Sequence, residues 1–197
     1  MTGQSQKDQV QKGQVQDRVS RRGGGRVILA AAFVVVAVLV AGPARAAAPA
    51  PAHRVDPSNY TGRWYEIART PNRFQRNCAT PFVDYTRDGQ TVRAVQQCAP
   101  VNGRNGRVYR SSGHILDPGV NAKVRLTFLG FWSQDYWVVD HDTAAGWALV
   151  GDPAGRFIWV MSRQPNPPQG LRDAALARVR TLGYDTSRLE YARNRGS

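Results

Sequence analysis

Cysteine is scarce in this chain: 197 residues hold two, Cys78 and Cys98. Their spacing fits neither a C-x-x-C redox centre nor a zinc set, and no third thiol exists to complete one. No Gly-x-Ser-x-Gly turn is present, so the nucleophile elbow of an esterase-type hydrolase is missing. Histidine is limited to three. A serine, histidine and aspartate set can be assembled on paper from Ser111, Ser112, His114 and the Asp140-His141-Asp142 run, but these residues fall on different strands and turns. A metal at Asp140-His141-Asp142 is weighed against a solvated turn, and the turn is the simpler account. No catalytic or metal-binding residues are therefore expected, no cofactor is implied, and the chain does not read as an enzyme.

Acidic residues are also few, 14 against 27 Lys and Arg, a net charge of +13. Residues 1–46 hold seven of the basic residues and two of the acidic ones, which leaves 20 basic against 12 acidic, or +8, on the remainder. That excess is nearly all arginine and is spread over every segment. No basic run interleaves with stacking aromatics, which argues against nucleic acid as a partner. A mild attraction to anionic head groups, giving weak membrane-surface association, or to anionic ligands fits better.

One long apolar run is present, Val27 to Gly42, preceded by Arg18, Arg21, Arg22 and Arg26 and followed by Pro43 and Ala44-Arg45-Ala46. This is the layout of a secretory signal peptide over residues 1–46 with cleavage before Ala47. The run is short for a membrane span, which usually takes ~20 apolar residues, so an uncleaved anchor is the alternative. Ser20-Arg21-Arg22 hints at twin-arginine export, although Gly23-Gly24-Gly25 stand where an apolar pair is usual. Residues 47–54 are rich in Pro and Ala and read as a flexible lead-in to a domain over residues 55–197. An exported chain meets oxidising conditions, so Cys78 and Cys98 are expected to bridge the ends of one hairpin, two free thiols being the alternative. Closing a loop of this length contributes about 3 kcal/mol.

The domain reads as strands at short, regular intervals. Gly62 releases Arg63-Trp64-Tyr65-Glu66-Ile67-Ala68-Arg69 after a turn-like Asp56-Pro57-Ser58-Asn59. Thr70 to Arg76 is too polar and proline-broken for a strand. Further strands are predicted at Ala79–Thr86, Thr91–Cys98, Arg107–Ile115, Ala122–Leu129, Tyr136–His141, Ala145–Gly151 and Arg156–Arg163. Val124, Leu126 and Phe128 alternate with Lys123, Arg125 and Thr127, so one face is enclosed and the other wet. Eight strands is the number whose closed barrel can hold one small ligand. From Pro168 the period changes: Leu171, Ala175, Val179 and Leu182 recur at helical spacing and Gly183 supplies the stop. A short strand, Arg188–Ala192, ends the pattern.

Gly62-Arg63-Trp64-Tyr65-Glu66-Ile67-Ala68-Arg69 resembles the opening motif of a lipocalin, nearest to the bacterial, apolipoprotein-D-like branch, and the resemblance runs from about Val55 to Arg193. It implies an all-β fold: an eight-stranded antiparallel up-and-down β-barrel with a C-terminal α-helix packed outside. In that family Val55–Tyr60 matches a helical plug at one end and Thr70–Arg76 a long loop over the open mouth. Arg163 matches the arginine that packs over the first-strand tryptophan, here Trp64, so Gly62, Trp64 and Arg163 are read as structural closure of the barrel floor. Tyr136-Trp137-Val138-Val139-Asp140-His141-Asp142 stands where the family has a strand ending in Thr-Asp-Tyr and departs from it in detail. Many bacterial lipocalins are lipoproteins with a cysteine directly after the apolar run. None follows here, so the chain is expected to be exported, periplasmic or secreted, and soluble rather than lipid-anchored.

If Arg163 points inward, strand parity turns Met161, Trp159 and Phe157 the same way. Parity likewise turns in Val124, Leu126 and Phe128, with Tyr136 and Val138 favoured over their neighbours. Tyr85 and Tyr109 are further candidates, and Phe74 and Trp132, placed in loops at the mouth, would gate access. The bland alternative is a solid core. Glu66 is the single acid in an apolar strand and is expected to pair with an arginine. Arg73 and Arg76 near the mouth would suit an anionic head group. The function implied is binding, storage or transport of a small hydrophobic ligand, a fatty acid or lysophospholipid, in the cell envelope or outside the cell. The alternatives are a lipocalin-type enzyme with a thiol or acid in the barrel, and a solid-cored interaction module.

Overall fold

A computed structural model describes residues 47–100 and 106–193. The signal-peptide reading of residues 1–46 lies outside the described residues, as does most of the turn placed at residues 102–106. Strands β1 (Gly62–Arg69), β2 (Cys78–Asp88), β3 (Thr91–Pro100), β4 (Arg107–Ile115), β5 (Lys123–Phe128), β6 (Trp132–Asp142), β7 (Trp147–Gly151) and β8 (Ile158–Ser162) pair antiparallel, each with the next. β1 closes the circle by pairing with both β2 and β8. Helix α1 (Gln169–Thr181) and a two-residue strand β9 (Glu190–Tyr191) follow β8. Closure removes the exposed edges an open sheet would carry.

Alternation sorts the side chains into two clusters. Trp64, Val83, Val92, Val124, Leu126, Val138 and Met161 face the interior. Ile67, Val139, Leu149, Ile158 and Val160 face outward and are covered by Ala175 and Val179 of α1, both fully buried. The helix thus sits outside the barrel because β1, β6, β7 and β8 are apolar on both faces, whereas the remaining strands are wet outside. Away from the helix, ion pairs cross neighbouring strands: Arg63 Nε of β1 to Asp84 of β2 at 2.8 Å and Arg125 Nε of β5 to Asp135 of β6 at 2.6 Å.

Two segments differ from expectation. β6 begins four residues before the predicted Tyr136, so Trp132 lies on a strand and not in a loop. The polar stretch Ser133-Gln134-Asp135 masked it, and each residue finds a partner or place: Ser133 bonds Thr127 at 2.8 Å, Asp135 pairs Arg125, and Gln134 faces the interior. The predicted flexible lead-in is held along the barrel. Ala48 and Ala52 donate to the carbonyls of Pro153 and Val139, and Val55 donates to Val120, at 2.9–3.1 Å.

At one end β1 pairs β2 only over Gly62–Tyr65. Beyond that point the chain's last described residues fill the gap: β9 pairs Ala68–Arg69, Ala192 donates to Ile67 at 3.1 Å and Arg193 to Ala79 at 2.7 Å. Cys78 and Cys98 form a disulfide across β2 and β3 at this end, with Cα atoms 5.2 Å apart.

Candidate functional site

The floor of the barrel is built on the first strand. The Arg163 guanidinium lies 4.0 Å from the Trp64 ring centroid and donates to the carbonyls of Asn59, Thr61 and Arg63 at 2.8–3.0 Å. Trp64 Nε1 donates to the same Asn59 carbonyl at 3.2 Å. Gly62 holds φ +84° beneath Arg163 Nη1, a backbone conformation that L side chains rarely adopt. Both Nη groups of the arginine are spent on backbone carbonyls and its face on the Trp64 ring, so the closed end is a structural seal.

Above this floor the interior is hollow. A cavity of about 500 Å³ opens at the far end, and a smaller one of about 50 Å³ continues below it toward Trp64. Phe74, Tyr85, Tyr109, Leu126, Phe128, Trp132, Tyr136, Phe157, Trp159 and Met161 line the upper space. Val124 and Val138 line the lower, which Tyr85, Leu126 and Tyr136 share. All twelve residues singled out as ligand-facing therefore stand on these walls, and the sides do not meet across the middle. Aromatic contacts run along the walls: Phe74 to Trp132 at 5.2 Å, Phe128 to Trp132 at 5.1 Å, Tyr136 to Trp159 at 5.6 Å and Phe157 to Trp159 at 5.9 Å.

The walls are not uniformly apolar. Gln75, Gln96, Ser111, Gln134 and Arg156 also face the upper space. Sequence reasoning missed them because a polar residue on an inward parity reads as a turn or an outer face. Gln75 is the pivot of this polar set and is 4% exposed. Its Nε2 donates to Glu66 Oε2 at 2.6 Å, and its Oε1 accepts from Trp159 Nε1 at 2.9 Å and from Asn72 Nδ2 at 2.6 Å. Glu66 Oε1 pairs with Arg69 Nη1 at 2.7 Å, the arginine partner expected of it. Arg69 Nη2 reaches Glu190 at 2.9 Å and the carbonyls of Gln75 and Cys78. Burial pushes the Glu66 carboxyl above the ordinary range, against the lowering pull of Arg69 and Gln75. Both carboxylate oxygens are spoken for, so the acid ties the loop over residues 70–77 to the barrel wall.

Burial pushes the Tyr85 phenol up to about 12, with a smaller contribution from Glu66, and raises Tyr136 as well. Both present neutral rings to the cavity at neutral pH. Tyr109 Oη donates to the Phe74 carbonyl at 3.1 Å and so helps fix the rim. Arg73 stacks over Phe74 at 4.9 Å and lines the cavity, whereas Arg76 does not.

The paper triad is not assembled. His114 is exposed on β4 and His141 lies on β6, with β5 between them. Asp140 is also no solvated turn: it is 4% exposed, within β6, and accepts from Arg178 of α1. Among the described residues no group of three or more His, Cys, Asp or Glu could hold a metal ion.

A family model described as a lipocalin-like domain matches residues 55–194. The chain belongs to the lipocalin family. Outer membrane lipoprotein Blc of Escherichia coli strain K12 is 29% identical over 170 residues, spanning 85% of this lipocalin and 94% of that protein. Outer membrane lipoprotein Blc of Vibrio cholerae is 24% identical over 136 residues, 68% of this chain and 80% of that one. Insecticyanin of the tobacco hornworm Manduca sexta superposes with a TM-score of 0.59 at 18% identity, covering 79% of this chain and 87% of that one, which speaks to the fold alone. Lipocalins bind small hydrophobic ligands, and they are generally binding and transport proteins.

The relatives overturn one expectation. Both bacterial ones are outer membrane lipoproteins, so the reading of this lipocalin as soluble rather than lipid-anchored does not stand. That reading rested on one missing cysteine, and acylation of a cysteine is one of several ways a chain is held at a membrane.

Proposed function

We propose that this lipocalin reversibly sequesters a single-chain amphiphile, a fatty acid or a lysophospholipid, with the acyl chain down the barrel and the head group at the mouth. The observation that carries the reading is the open cavity of about 500 Å³, apolar and aromatic at depth, with its polar groups gathered near the opening. Its size lies within the range that ligand-binding pockets take. Each buried methylene offers about 0.8 kcal/mol, so a chain of a dozen or more carbons supplies on the order of 10 kcal/mol against association costs of at least ~4 kcal/mol. Arg73 and Arg156 at the rim give an anionic head group a favourable field, although Arg156 shares its charge with Asp152 at 3.0 Å. No covalent step is involved. Both thiols are consumed by the disulfide, and each Glu66 oxygen is already held by a structural partner, Gln75 or Arg69.

Tryptophan emission tests this directly, since Trp132 and Trp159 line the cavity. Titration with oleate and with lysophosphatidylcholine should change the emission saturably and in the micromolar range. Arg73→Ala should weaken oleate about three- to tenfold and leave an uncharged monoacylglycerol unaffected. Unchanged emission and an unchanged melting temperature with all three ligands would refute the proposal.

A further inference from the structure

We propose that the open end of the barrel docks on an anionic lipid bilayer, with the tip of the β5–β6 hairpin set among the acyl chains, so that the cavity exchanges its guest directly with the membrane. The exchange half rests on the guest-binding reading above, while the docking half stands without it. Leu129 is 84% exposed and Phe131 81%, the highest values among the large hydrophobic side chains of the described residues. Neither belongs to either packed cluster. Their turn holds φ +53° at Leu129 and +78° at Gly130, with Phe131 N donating to Phe128 O at 3.2 Å. Asn or Gly is favoured at the first of these positions, and leucine is strained there. The fold would be served better by a polar residue, so the apolar one answers to something outside the fold.

The tip is continuous with the cavity. Phe128, Trp132 and Phe74 stack in sequence from the hairpin to the rim, with centroids 5.1 and 5.2 Å apart. Around it the charge is positive. Arg73, Arg76 and Arg107 are exposed at this end, and among the described residues none forms an ion pair, whereas Arg63 and Arg125 on the side wall are each paired with an aspartate. An apolar tip ringed by unpaired arginines matches acyl chains beneath anionic phosphates. The apolar side chains at the tip and its base present on the order of 400 Å² together, about half of the ~800 Å² that each partner contributes to a standard protein interface. A bilayer, into which two side chains can partition by themselves, is the occupant this surface fits.

Full-length wild type, Leu129→Ser/Phe131→Ser and Arg76→Glu/Arg107→Glu proteins are mixed with ligand-free vesicles of phosphatidylcholine, with and without phosphatidylglycerol, carrying brominated acyl chains. All three proteins share the same amino-terminal apolar run, so differences between them report the mouth. We expect quenching of wild-type tryptophan emission, about tenfold weaker partitioning of the hairpin variant, and loss of the preference for phosphatidylglycerol in the arginine variant. Transfer of a fluorescent fatty acid from vesicles should quicken in proportion to vesicle concentration for wild type and not for the hairpin variant. Equal partitioning of wild type and hairpin variant refutes docking, as does a vesicle-free wild-type dimer that the hairpin substitutions dissolve. Docking with a transfer rate independent of vesicle concentration refutes direct exchange, and oleate titration without vesicles separates that result from a cavity that binds nothing.

Discussion

At the scale of single residues, the barrel depends on a few positions where no other side chain fits. A Cβ built on Gly113 would stand 1.6 Å from the Arg125 carbonyl oxygen and 2.7 Å from its carbon, both rigid backbone of the neighbouring strand. Gly113→Ala must therefore push β5 away from β4, and β5 carries Val124, Leu126 and Phe128. We expect a loss of about 2–4 kcal/mol in urea unfolding, while Gly89→Ala, with open space around it at φ +56°, costs nearer 1 kcal/mol. If the two variants unfold at the same urea concentration, the close approach of β4 and β5 is wrong. Nothing in the sequence marks Gly113, because a strand glycine gives no sign of the neighbour it admits. Trp64 and Arg163 were legible by contrast, since a glycine-released aromatic motif and a matching arginine carry the family's imprint. Glu66 was half legible: its need for an arginine follows from its apolar strand, but Gln75, nine residues on, is set by tertiary geometry alone.

At the scale of elements, strand placement followed from alternation and turn residues, and it failed where polar residues were drawn into the sheet. Ser133, Gln134 and Asp135 read as loop because their cross-strand partners, Thr127 and Arg125, lie on another segment. Thr70–Arg76 reads as irregular in the sequence and lies between β1 and β2 in the structure, but its anchorage is hidden. Gln75 fastens it to β1 through Glu66 and to β8 through Trp159. Gln75→Ala removes three hydrogen bonds and leaves buried partners unsatisfied, which costs about 1–3 kcal/mol. Because Phe74 and Arg73 travel with this loop at the mouth, the same variant should release a bound fluorescent fatty acid about tenfold faster in stopped flow. A variant that loses stability yet releases ligand at the wild-type rate would mean the loop does not govern access.

At the scale of the whole molecule, the barrel encloses one compartment with polar groups among its aromatic walls, and its buried phenols report on it. Burial raises Tyr85 and Tyr184 to about 12 and Tyr136 further, so three of the seven tyrosines hold their protons more tightly folded than unfolded. A raised folded value means that their contribution to stability is fully present below pH 10 and is lost as pH climbs through about 12. Tyr85 and Tyr136 face the cavity from inside, and Tyr184 lies in the cluster beneath α1 on the outer wall, so their ionisation sets charge on both faces of the sheet. Tyrosinate absorbance in an alkaline titration should therefore show a late, steep phase for three phenols that coincides with loss of the folded tryptophan emission. A guest bound over Tyr85 and Tyr136 favours the closed, protonated state and should move that phase to higher pH as its concentration rises. Seven phenols titrating in a single gradual phase near pH 10, with emission intact, would mean that water already fills the barrel to its floor.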